Sequence, residues 1–323
     1  WYMESAESVC PDCSRGCRTR VDTHSNVVRR FKPLHNAKVN GWWMCDDGRT
    51  SWKRFYEDRV EGPSTTQTGA RRVTTIQDAL EAAAEAIEGA RADDGGIAVV
   101  LTPWFTNEDA YLVGKLLTGP LSNAAVYLGG RPEGQGDDIL RQADSNPNRT
   151  GTRAVLEALG VSVRPLDESS FDRSSVALVF GDQHALSEQQ MQALGGLDAR
   201  IVFGTRISPL WHTSTVFLPT RIPVEKDGTF TNFEGVVQRI ERAVTPARTC
   251  KSDGWYAMKL GQALGQDLGF GTPEAVFCAI AEAVPGFHGM RWQALRPTGQ
   301  VFGEASEPTS PPTPTSAPAG GVP

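Results

Sequence analysis

Residues 10–17 read Cys-Pro-Asp-Cys-Ser-Arg-Gly-Cys, and Cys45 follows after a gap of 27 residues. This spacing places three thiols on one tight loop, while the fourth arrives from elsewhere in the chain. Such a set suits the corners of a 4Fe–4S cubane, in which each iron binds one cysteine sulfur. The motif therefore predicts a small domain folded around one cluster, with Cys10, Cys13, Cys17 and Cys45 as the metal ligands.

A structural zinc ion is the alternative for the same four thiols. Zinc sites more often present two separate Cys-x2-Cys pairs, and here Cys45 has no second cysteine beside it. The spacing favours iron–sulfur but leaves zinc open. Pro11 and Gly16 suit a tight turn, in which backbone amides would face the cluster sulfides and raise the reduction potential.

The residues around the motif have simpler interpretations than metal ligation. His24 is expected in a hairpin turn, because four cysteines already complete a ligand set. Trp42 and Trp43 are expected to be buried, where they would exclude water from the metal. Three arginines could either offset the negative charge of the cluster or form a solvated basic face. They are Arg15, Arg18 and Arg20.

The two remaining cysteines stand far downstream of the motif. Cys250 is expected to be a surface thiol, and Cys278 a small buried residue on a helix. Clustering of the other four thiols is typical of a metal site in a reducing compartment. The start of the chain, residues 1–5, has neither the basic start nor the apolar core of a secretory signal. A start at Trp rather than Met predicts a piece of a longer protein.

The composition is that of an ordinary globular protein. Of 323 residues 39% are hydrophobic, and the formal net charge is −6. A net negative charge argues against a dominant surface for nucleic acid or anionic lipid. The longest apolar stretch lies around Ile97–Leu101, far short of the roughly 18 residues of a membrane span. Any membrane association is therefore expected to come through partner subunits.

Two domains and a tail are predicted. Residues 1–66 form the cluster-binding domain, which contains a hairpin of Arg18–Asp22 and Val27–Phe31 and ends in the linker-like stretch Gly62–Gly69. In residues 67–300 helices alternate with apolar strands, so the fold class is α/β with a parallel sheet. The remainder, residues 301–323, is expected to be a disordered tail.

Hydrophobic spacing and capping residues predict the individual elements of the larger domain. Ile76–Ala92 is Ala- and Glu-rich with helical spacing, and Thr106 precedes two acids at a helix start. The predicted strands are Gly96–Leu101, Ala124–Leu128, Ser175–Phe180 and Arg200–Phe203. The other predicted helices are Thr152–Leu159, Ser187–Leu194, Trp255–Gly265 and Pro273–Val284.

The segments around the cysteines resemble the iron–sulfur domain that opens molybdopterin oxidoreductases. They are Ser8–Cys17 and Val39–Arg49, and the likeness continues through Thr102–Tyr111, Asp137–Leu140, Ala143–Asn148 and Gly228–Gly235. Within the family they are most similar to the member that serves as an iron–sulfur subunit of bacterial NADH:quinone oxidoreductase, respiratory complex I. The resemblance implies an electron-transfer subunit that holds one 4Fe–4S cluster and a downstream domain of the molybdopterin-enzyme fold.

Departures from the family pattern predict that molybdopterin is absent. In formate dehydrogenases and nitrate reductases of the family, a Lys just past the fourth cysteine commonly lies between cluster and pterin, whereas Asp46 and Asp47 stand here. No Cys occurs between Cys45 and Cys250. The chain also ends without the large domains that enclose the pterins. A molybdopterin-dependent formate dehydrogenase or an NAD-linked hydrogenase complex is the alternative, and a zinc-stapled scaffold is a second one.

The resemblance also implies partners and a location. The expected partners are other subunits of a respiratory NADH dehydrogenase, with a ferredoxin-like region upstream of Trp1. The expected location is cytoplasmic, on the inner face of the plasma membrane through the complex. In the family this cluster lies off the main route from flavin to quinone, so a stabilising role is a further option.

Two other segments carry weaker signals. Gly129–Gly136 follows a strand but lacks the Gly-x-Gly-x-x-Gly order, so a plain loop is expected. Glu225–Gly235 lies near the pterin in molybdoenzymes of this fold, and here it is expected to be a structural segment without its cofactor. No Ser/His/Asp grouping has catalytic spacing, and no independent catalytic site is predicted.

Overall fold

A computed structural model describes residues 2–93, 95–269 and 271–303 of the chain. Within these residues the strands are β1 (Glu4–Val9), β2 (Arg18–His24), β3 (Val27–Pro33), β4 (Ser64–Gln67), β5 (Ala70–Val73), β6 (Gly96–Leu101), β7 (Ala125–Leu128), β8 (Val163–Pro165), β9 (Ser174–Phe180), β10 (Ala199–Gly204), β11 (Val216–Pro219), β12 (Gly228–Thr231), β13 (Val236–Ile240) and β14 (Gln300–Val301). The α-helices are α1 (Asp46–Thr50), α2 (Ile76–Ala92), α3 (Asn107–Thr118), α4 (Arg149–Ala158), α5 (Glu188–Gly195), α6 (Pro209–Thr213), α7 (Asp253–Ala263) and α8 (Pro273–Ala283). Residues 304–323, most of the predicted tail, lie outside the described ranges.

The N-terminal sheet is an antiparallel meander in the order β1-β2-β3. The predicted hairpin is confirmed, and its turn consists of Ser25 and Asn26, whose φ angles of 53° and 59° are the left-handed pair that a two-residue hairpin favours. His24 is exposed at this turn, and its Nδ1 lies 3.1 Å from the Tyr2 carbonyl oxygen. Strand β1 escaped prediction because only its last residues are buried, so its sequence shows no apolar alternation.

The large sheet has the order β5-β4-β11-β10-β9-β6-β7-β8. All pairs from β11 to β8 are parallel, which confirms the predicted α/β class with a parallel sheet. The chain runs outward from β6 to β8 in one direction and from β9 to β11 in the other. The order therefore reverses between β6 and β9, and a crevice is expected at the carboxyl ends of these two strands.

The prediction of a linker at Gly62–Gly69 is wrong. Within Gly62–Gly69, strand β4 pairs antiparallel with β11 and forms a hairpin with β5. Thr65 and Thr66 are β-branched and suit a strand, and the turn at Thr68 and Gly69 has φ angles of 47° and 78°. The stretch therefore forms a hairpin at the edge of the large sheet. The predicted domain boundary after residue 66 falls inside β4.

Predicted elements with strong periodicity are confirmed. Helix α2 and strand β6 have the predicted bounds, and Thr106 and Ser187 close full capping boxes at the starts of α3 and α5. Helix α4 begins at Arg149, three residues before its predicted start. The third sheet, β12-β13-β14, was missed, because β12 opens on a glycine within a segment of turn-forming residues.

The cluster-binding domain packs on the carboxyl edge of the large sheet. One apolar cluster joins Cys10, Cys17 and Phe31 of the first domain to Trp104, which follows β6, and to Ile222, which follows β11. The main core lies between the sheet and α2, α3, α7 and α8. None of the described helices is long and apolar enough to cross a bilayer.

Candidate iron–sulfur site

Three of the thiols lie on a closed loop between β1 and β2. The Cys10 backbone N–H donates to the Cys17 carbonyl oxygen at 2.8 Å. Gly16 has a φ of +72°, and a Cβ there would lie 2.6 Å from Gln238 Oε1. Only glycine suits that conformation and that space, in agreement with the predicted tight turn. Cys10, Cys13 and Cys17 are all buried.

The fourth thiol reaches this loop through the start of α1. Cys45 is the N-cap residue of α1, and its Sγ accepts a hydrogen bond from the Gly48 N–H at 3.3 Å. A Cβ on Gly48 would lie 3.1 Å from Cys10 Sγ and 3.2 Å from Cys45 Sγ. The two sulfur atoms therefore lie close together around the Gly48 backbone, and a larger residue would fill the space between them.

The four thiols also influence one another electrostatically. Burial raises the pKa of Cys17 to about 12, with further increases from Cys13 and Cys45. Burial, then Cys17, raises the pKa of Cys10 well above its usual range. Thiols in this setting ionise only when a metal replaces the proton, because burial penalises an uncompensated thiolate. The structure thus brings all four predicted ligands near one another, with Cys10, Cys13 and Cys17 buried and Cys45 partly exposed.

A zinc ion and a cubane make different demands on the four thiols. Among the described residues, no three His, Cys, Asp or Glu side chains converge closely enough to hold a single metal ion. A zinc ion requires its thiolates at about 2.3 Å from one centre. A cubane binds each cysteine at a separate iron, so its sulfur ligands stand farther apart around a larger object.

Backbone amides from both domains point at the sulfur atoms. Burial raises the pKa of Cys13, and backbone hydrogen bonds from Gln142 and Arg15 lower it in part. Gln142 belongs to a loop that is held against the thiols, since Ser14 N donates to the Asp144 carbonyl at 2.8 Å and Arg15 Nε to the Leu140 carbonyl at 2.7 Å. Such donors stabilise the reduced, more negative state of a cluster and raise its potential.

A buried carboxylate inside the motif is paired with two arginines. Asp12 Oδ1 lies 2.5 Å from Arg54 Nη2 and 3.1 Å from Arg131 Nη1. Burial opposes ionisation of Asp12, but the two guanidinium groups outweigh it and lower the pKa. Both guanidinium groups also lie near the ring of Trp104, at 5.7 and 5.8 Å from its centroid. Arg131 comes from the α/β domain, so this ion-pair cluster ties the cysteine loop to the sheet.

The three arginines weighed from sequence have different roles. Arg15 lies over the Phe233 ring at 4.9 Å and lowers the pKa of Cys17, against the effect of burial. Arg18 pairs with Glu7, and Arg20 pairs with Asp22. The cations that matter most at the loop, Arg54 and Arg131, gave no local signal because they lie far from the motif in sequence.

The predicted burial of Trp42 and Trp43 is wrong. Their exposed fractions are 70% and 73%. Asn40 fixes the turn that directs them outward: its Oδ1 accepts from Arg18 N at 3.0 Å, and its Nδ2 donates to the Trp43 carbonyl at 2.9 Å. Water is excluded from the thiols by other apolar side chains, namely Phe31, Met44, Phe55, Trp104 and Leu140.

The predicted environments of the other two cysteines are reversed. Cys250 is buried, and its Sγ accepts a hydrogen bond from Arg59 Nη2 at 3.4 Å. Cys278 is exposed on α8, whose buried side consists of Val276, Phe277 and Ile280. Cys278 points away from that buried side of the helix, so its thiol is exposed to solvent. Neither residue is part of the cysteine group at the loop.

Replacing Gly48 by alanine should lower cluster loading severalfold. The added methyl would lie 3.1 Å from Cys10 Sγ and 3.2 Å from Cys45 Sγ, closer than ordinary van der Waals contact. Helix propensity acts in the opposite direction, since alanine favours a helix over glycine by about 1 kcal/mol. Iron and sulfide per chain are the measurement. Gly89→Ala, in α2 with open space around its Cβ position, is the control. Full loading of the Gly48 variant would contradict the predicted crowding.

A second buried network links α3 to β12. Glu108 accepts hydrogen bonds from Thr229 N and Thr229 Oγ1, both at 2.8 Å. Asn107 Nδ2 donates to Thr229 Oγ1 at 2.9 Å and to Thr231 Oγ1 at 3.0 Å. Residues Thr229 and Thr231 lie in the pterin-proximal segment of the sequence resemblance. Here they satisfy the polar side chains of the neighbouring helix.

Replacing Glu108 by glutamine should remove a pH-dependent loss of stability. Burial raises the pKa of Glu108 from 4.5 to about 7, so the folded state favours the neutral form. Its stabilising effect is complete below pH 4.5 and is lost as the pH rises through 7. The free energy of unfolding in urea is measured at about pH 5 and about pH 8. Between these two pH values the stability of the variant relative to wild type should increase by up to about 3 kcal/mol. Glu85→Gln, at an exposed position on α2, should show the same change of stability with pH as wild type. Equal pH dependence of all three proteins would refute the predicted effect of Glu108.

The crevice at the carboxyl ends of β6 and β9 is small. It lies beside Arg54, Trp104 and Gly181, and its volume is about 40 Å³. Cofactor pockets measure about 300 to 1,000 Å³. Lys226, which lines the crevice, is held by Asp109 at 2.9 Å and Asp253 at 2.7 Å. Lys226 and its two carboxylate partners therefore occupy one side of this crevice.

A family model matches the part of the chain that holds the thiols. Residues 3–57 match the model described as "Molybdopterin oxidoreductase Fe4S4 domain". The N-terminal segment is therefore similar to the Fe4S4 domain of that family. This domain contains Cys10, Cys13, Cys17 and Cys45, together with Gly48 and the Asp12–Arg54 ion pair, so the sequence resemblance is confirmed at this level.

Curated relatives divide between two kinds of oxidoreductase. An NADH-quinone oxidoreductase subunit of Streptomyces coelicolor is 33% identical over 113 residues, which cover 34% of this chain and 13% of that protein. The alpha subunit of F420-dependent formate dehydrogenase 1 of Methanococcus maripaludis is 28% identical over 143 residues, covering 42% of this chain and 21% of that protein. The chain thus spans only a small part of either relative. Both relatives support a redox function of the Fe4S4 domain.

A solved structure extends the likeness to the whole fold. Acetylene hydratase from Pelobacter acetylenicus aligns with a TM-score of 0.59, over 93% of this chain and 74% of that chain. The sequence identity is 9%, so this similarity concerns the fold alone. The predicted fold class, α/β with a small N-terminal sheet and a large, mostly parallel sheet, is confirmed.

Proposed function

We propose that the chain is an electron-transfer subunit of an NADH:quinone oxidoreductase and that Cys10, Cys13, Cys17 and Cys45 bind one 4Fe–4S cluster. The observation that carries the proposal is that Cys10 Sγ and Cys45 Sγ meet at Gly48, while Cys13 and Cys17 lie buried on the same closed loop as Cys10. Similarity to the NADH-quinone oxidoreductase subunit of Streptomyces coelicolor supports the choice of complex.

The chain's own residues would fix the cluster and set its potential. A bound 4Fe–4S cluster supplies one-electron chemistry. The amides of Gly48, Arg15 and Gln142 would donate to its sulfur ligands, and burial would exclude water from it. Asp12 is neutralised by Arg54 and Arg131, so it adds little negative charge beside the thiolates. The other subunits of the complex would then supply the binding sites for NADH and quinone.

The relatives among formate dehydrogenases favour a second candidate, a molybdopterin-dependent subunit. Similarity to the Methanococcus maripaludis protein supports it. The crevice of about 40 Å³ and the ion pairs of Lys226 oppose it, because a pterin would have to displace them. We therefore propose a chain without molybdopterin.

Partners and location follow from the first candidate. The proposed partners are the other subunits of a respiratory NADH dehydrogenase. The proposed location is the cytoplasmic face of the plasma membrane, reached through those subunits.

Purification of the native complex through this chain separates the two candidates. Mass spectrometry of the co-purifying subunits and metal analysis should show NADH dehydrogenase subunits and no molybdenum or tungsten. Stoichiometric molybdenum or tungsten together with pterin, in a complex with formate dehydrogenase subunits, would replace the first candidate by the second.

A further inference from the structure

Two adjacent tryptophans project into solvent beside the candidate site. Trp42 and Trp43 are 70% and 73% exposed, on a turn that several backbone hydrogen bonds hold in place. The Asn36 carbonyl oxygen accepts from Val39, Asn40 and Gly41 N–H groups at 2.8 to 3.2 Å. The Asn40 side chain bonds both the Trp43 carbonyl and the Arg18 N–H. The indoles are therefore preorganised, which lowers the entropic cost of binding through them.

Basic residues dominate the segment of the chain that contains these tryptophans. Between Val27 and Arg54 the sequence has seven Lys or Arg and two Asp, whereas the whole chain has 32 basic and 38 acidic residues. Arg30 and Arg54 are paired with Asp22 and Asp12. Further cations on this stretch are exposed; they are Arg29, Lys32, Arg49 and Lys53. The local charge is thus opposite in sign to that of the chain as a whole.

This surface is also where the thiol group comes nearest to solvent. Cys10, Cys13 and Cys17 are buried, and Cys45 alone of the four is partly exposed. Trp43 precedes Cys45 by two residues, and α1, which begins directly after Cys45, packs against β3. An electron leaving a cluster at these ligands would have its shortest exit on the side of Cys45.

We propose that Trp42, Trp43 and the surrounding exposed cations form the docking surface for an acidic electron-transfer protein. The proposal rests on the proposed function of the Fe4S4 domain. Exposed cations would attract the partner and speed its approach. The two indoles would enter an apolar recess on the partner, since Trp is the residue that most often dominates protein interfaces. The partial exposure of Cys45 beside these tryptophans favours an electron-transfer protein over an anionic membrane as the occupant.

Stopped-flow electron transfer tests the proposal on the full chain with its cluster in place. The probe is a reduced plant-type 2Fe–2S ferredoxin, a small acidic electron-transfer protein. Trp42→Ser/Trp43→Ser should lower the second-order rate constant about tenfold or more. Val73→Ser, which removes an apolar side chain that is 82% exposed on β5, should leave it unchanged. Arg49→Glu/Lys53→Glu should weaken the fall in rate with rising salt, whereas Arg91→Glu on α2 should not.

Reduction of each variant by dithionite distinguishes failure of the docking surface from failure of the proposed function. Equal dithionite reduction, with a slow ferredoxin reaction only in the tryptophan and Arg49/Lys53 variants, supports the docking surface. Equal ferredoxin rates in the tryptophan variant and wild type would overturn it while leaving the cluster intact. Tryptophan-dependent binding to phosphatidylglycerol vesicles, or tryptophan-dependent self-association, with unchanged ferredoxin rates would also overturn it. A wild-type chain that dithionite does not reduce would instead refute the proposed function.

Discussion

Replacing Cys45 by alanine should abolish the 4Fe–4S signal of the reduced protein and cut its iron content. Cys45 is the single ligand that the α1 segment supplies, and its Sγ receives the Gly48 N–H. The other three thiols lie on one loop, which leaves one corner of a cubane without a protein ligand. Loss of the cluster should also weaken the small domain, because metal binding is coupled to folding. Iron and sulfide analysis and EPR after reduction are the measurements.

The matched control is Cys278→Ala. Cys278 is exposed on α8, far from the loop in sequence, and its removal should change neither iron content nor EPR signal. Cys250→Ala is a second control at a buried thiol, where a loss of stability without a loss of iron is expected. Unchanged iron in the Cys45 variant would show that another residue is the fourth ligand.

Replacing Lys226 by methionine should destabilise the folded chain by about 3 to 5 kcal/mol. Lys226 is 5% exposed, and its Nζ binds Asp109 of α3 at 2.9 Å and Asp253 of α7 at 2.7 Å. Burial lowers the pKa of Lys226, but the two carboxylates outweigh it and raise the pKa, so the ammonium keeps its charge. Methionine fills similar space and leaves two buried carboxylates uncompensated. The free energy of unfolding in urea is the measurement.

Partial rescue identifies the cause of this destabilisation. Lys226→Met/Asp253→Asn should recover part of the loss, because one of the two unpaired carboxylates is gone. Lys53→Met, at an exposed lysine, should change stability by less than about 0.5 kcal/mol. A double variant no more stable than the single one would mean that lost packing, rather than unpaired charge, causes the effect.

The cysteine spacing and the hydrophobic periods predicted much of the fold and the approach of the four thiols. Cys10, Cys13, Cys17 and Cys45 converge as the spacing indicates, and Gly16 has the left-handed backbone that its place in the loop predicts. Helix α2 and strand β6 match because their apolar residues repeat at one clear period. These features are local in sequence, so short windows contain the information that determines them.

Features that depend on distant partners could not be predicted in this way. Arg54 and Arg131 lie 42 and 119 residues from Asp12, and the Arg131 pair forms only after the two domains meet, so no local spacing predicts these contacts. Gly48 gives no signal of its own in the sequence, because only the fold brings it next to two cysteine sulfurs. Trp42 and Trp43 were expected inside because indoles are usually buried, whereas the side chain of Asn40 directs them outward. The polar strand β1 forms because β2 offers it a paired edge.

Metal and sulfide analysis of the full chain, purified without oxygen, tests the iron–sulfur assignment most directly. Wild-type protein should contain about four iron atoms and about four acid-labile sulfides per chain, and dithionite should produce the EPR signal of a reduced cubane. Stoichiometric zinc without iron or sulfide would contradict the assignment and make the four thiols a structural zinc site.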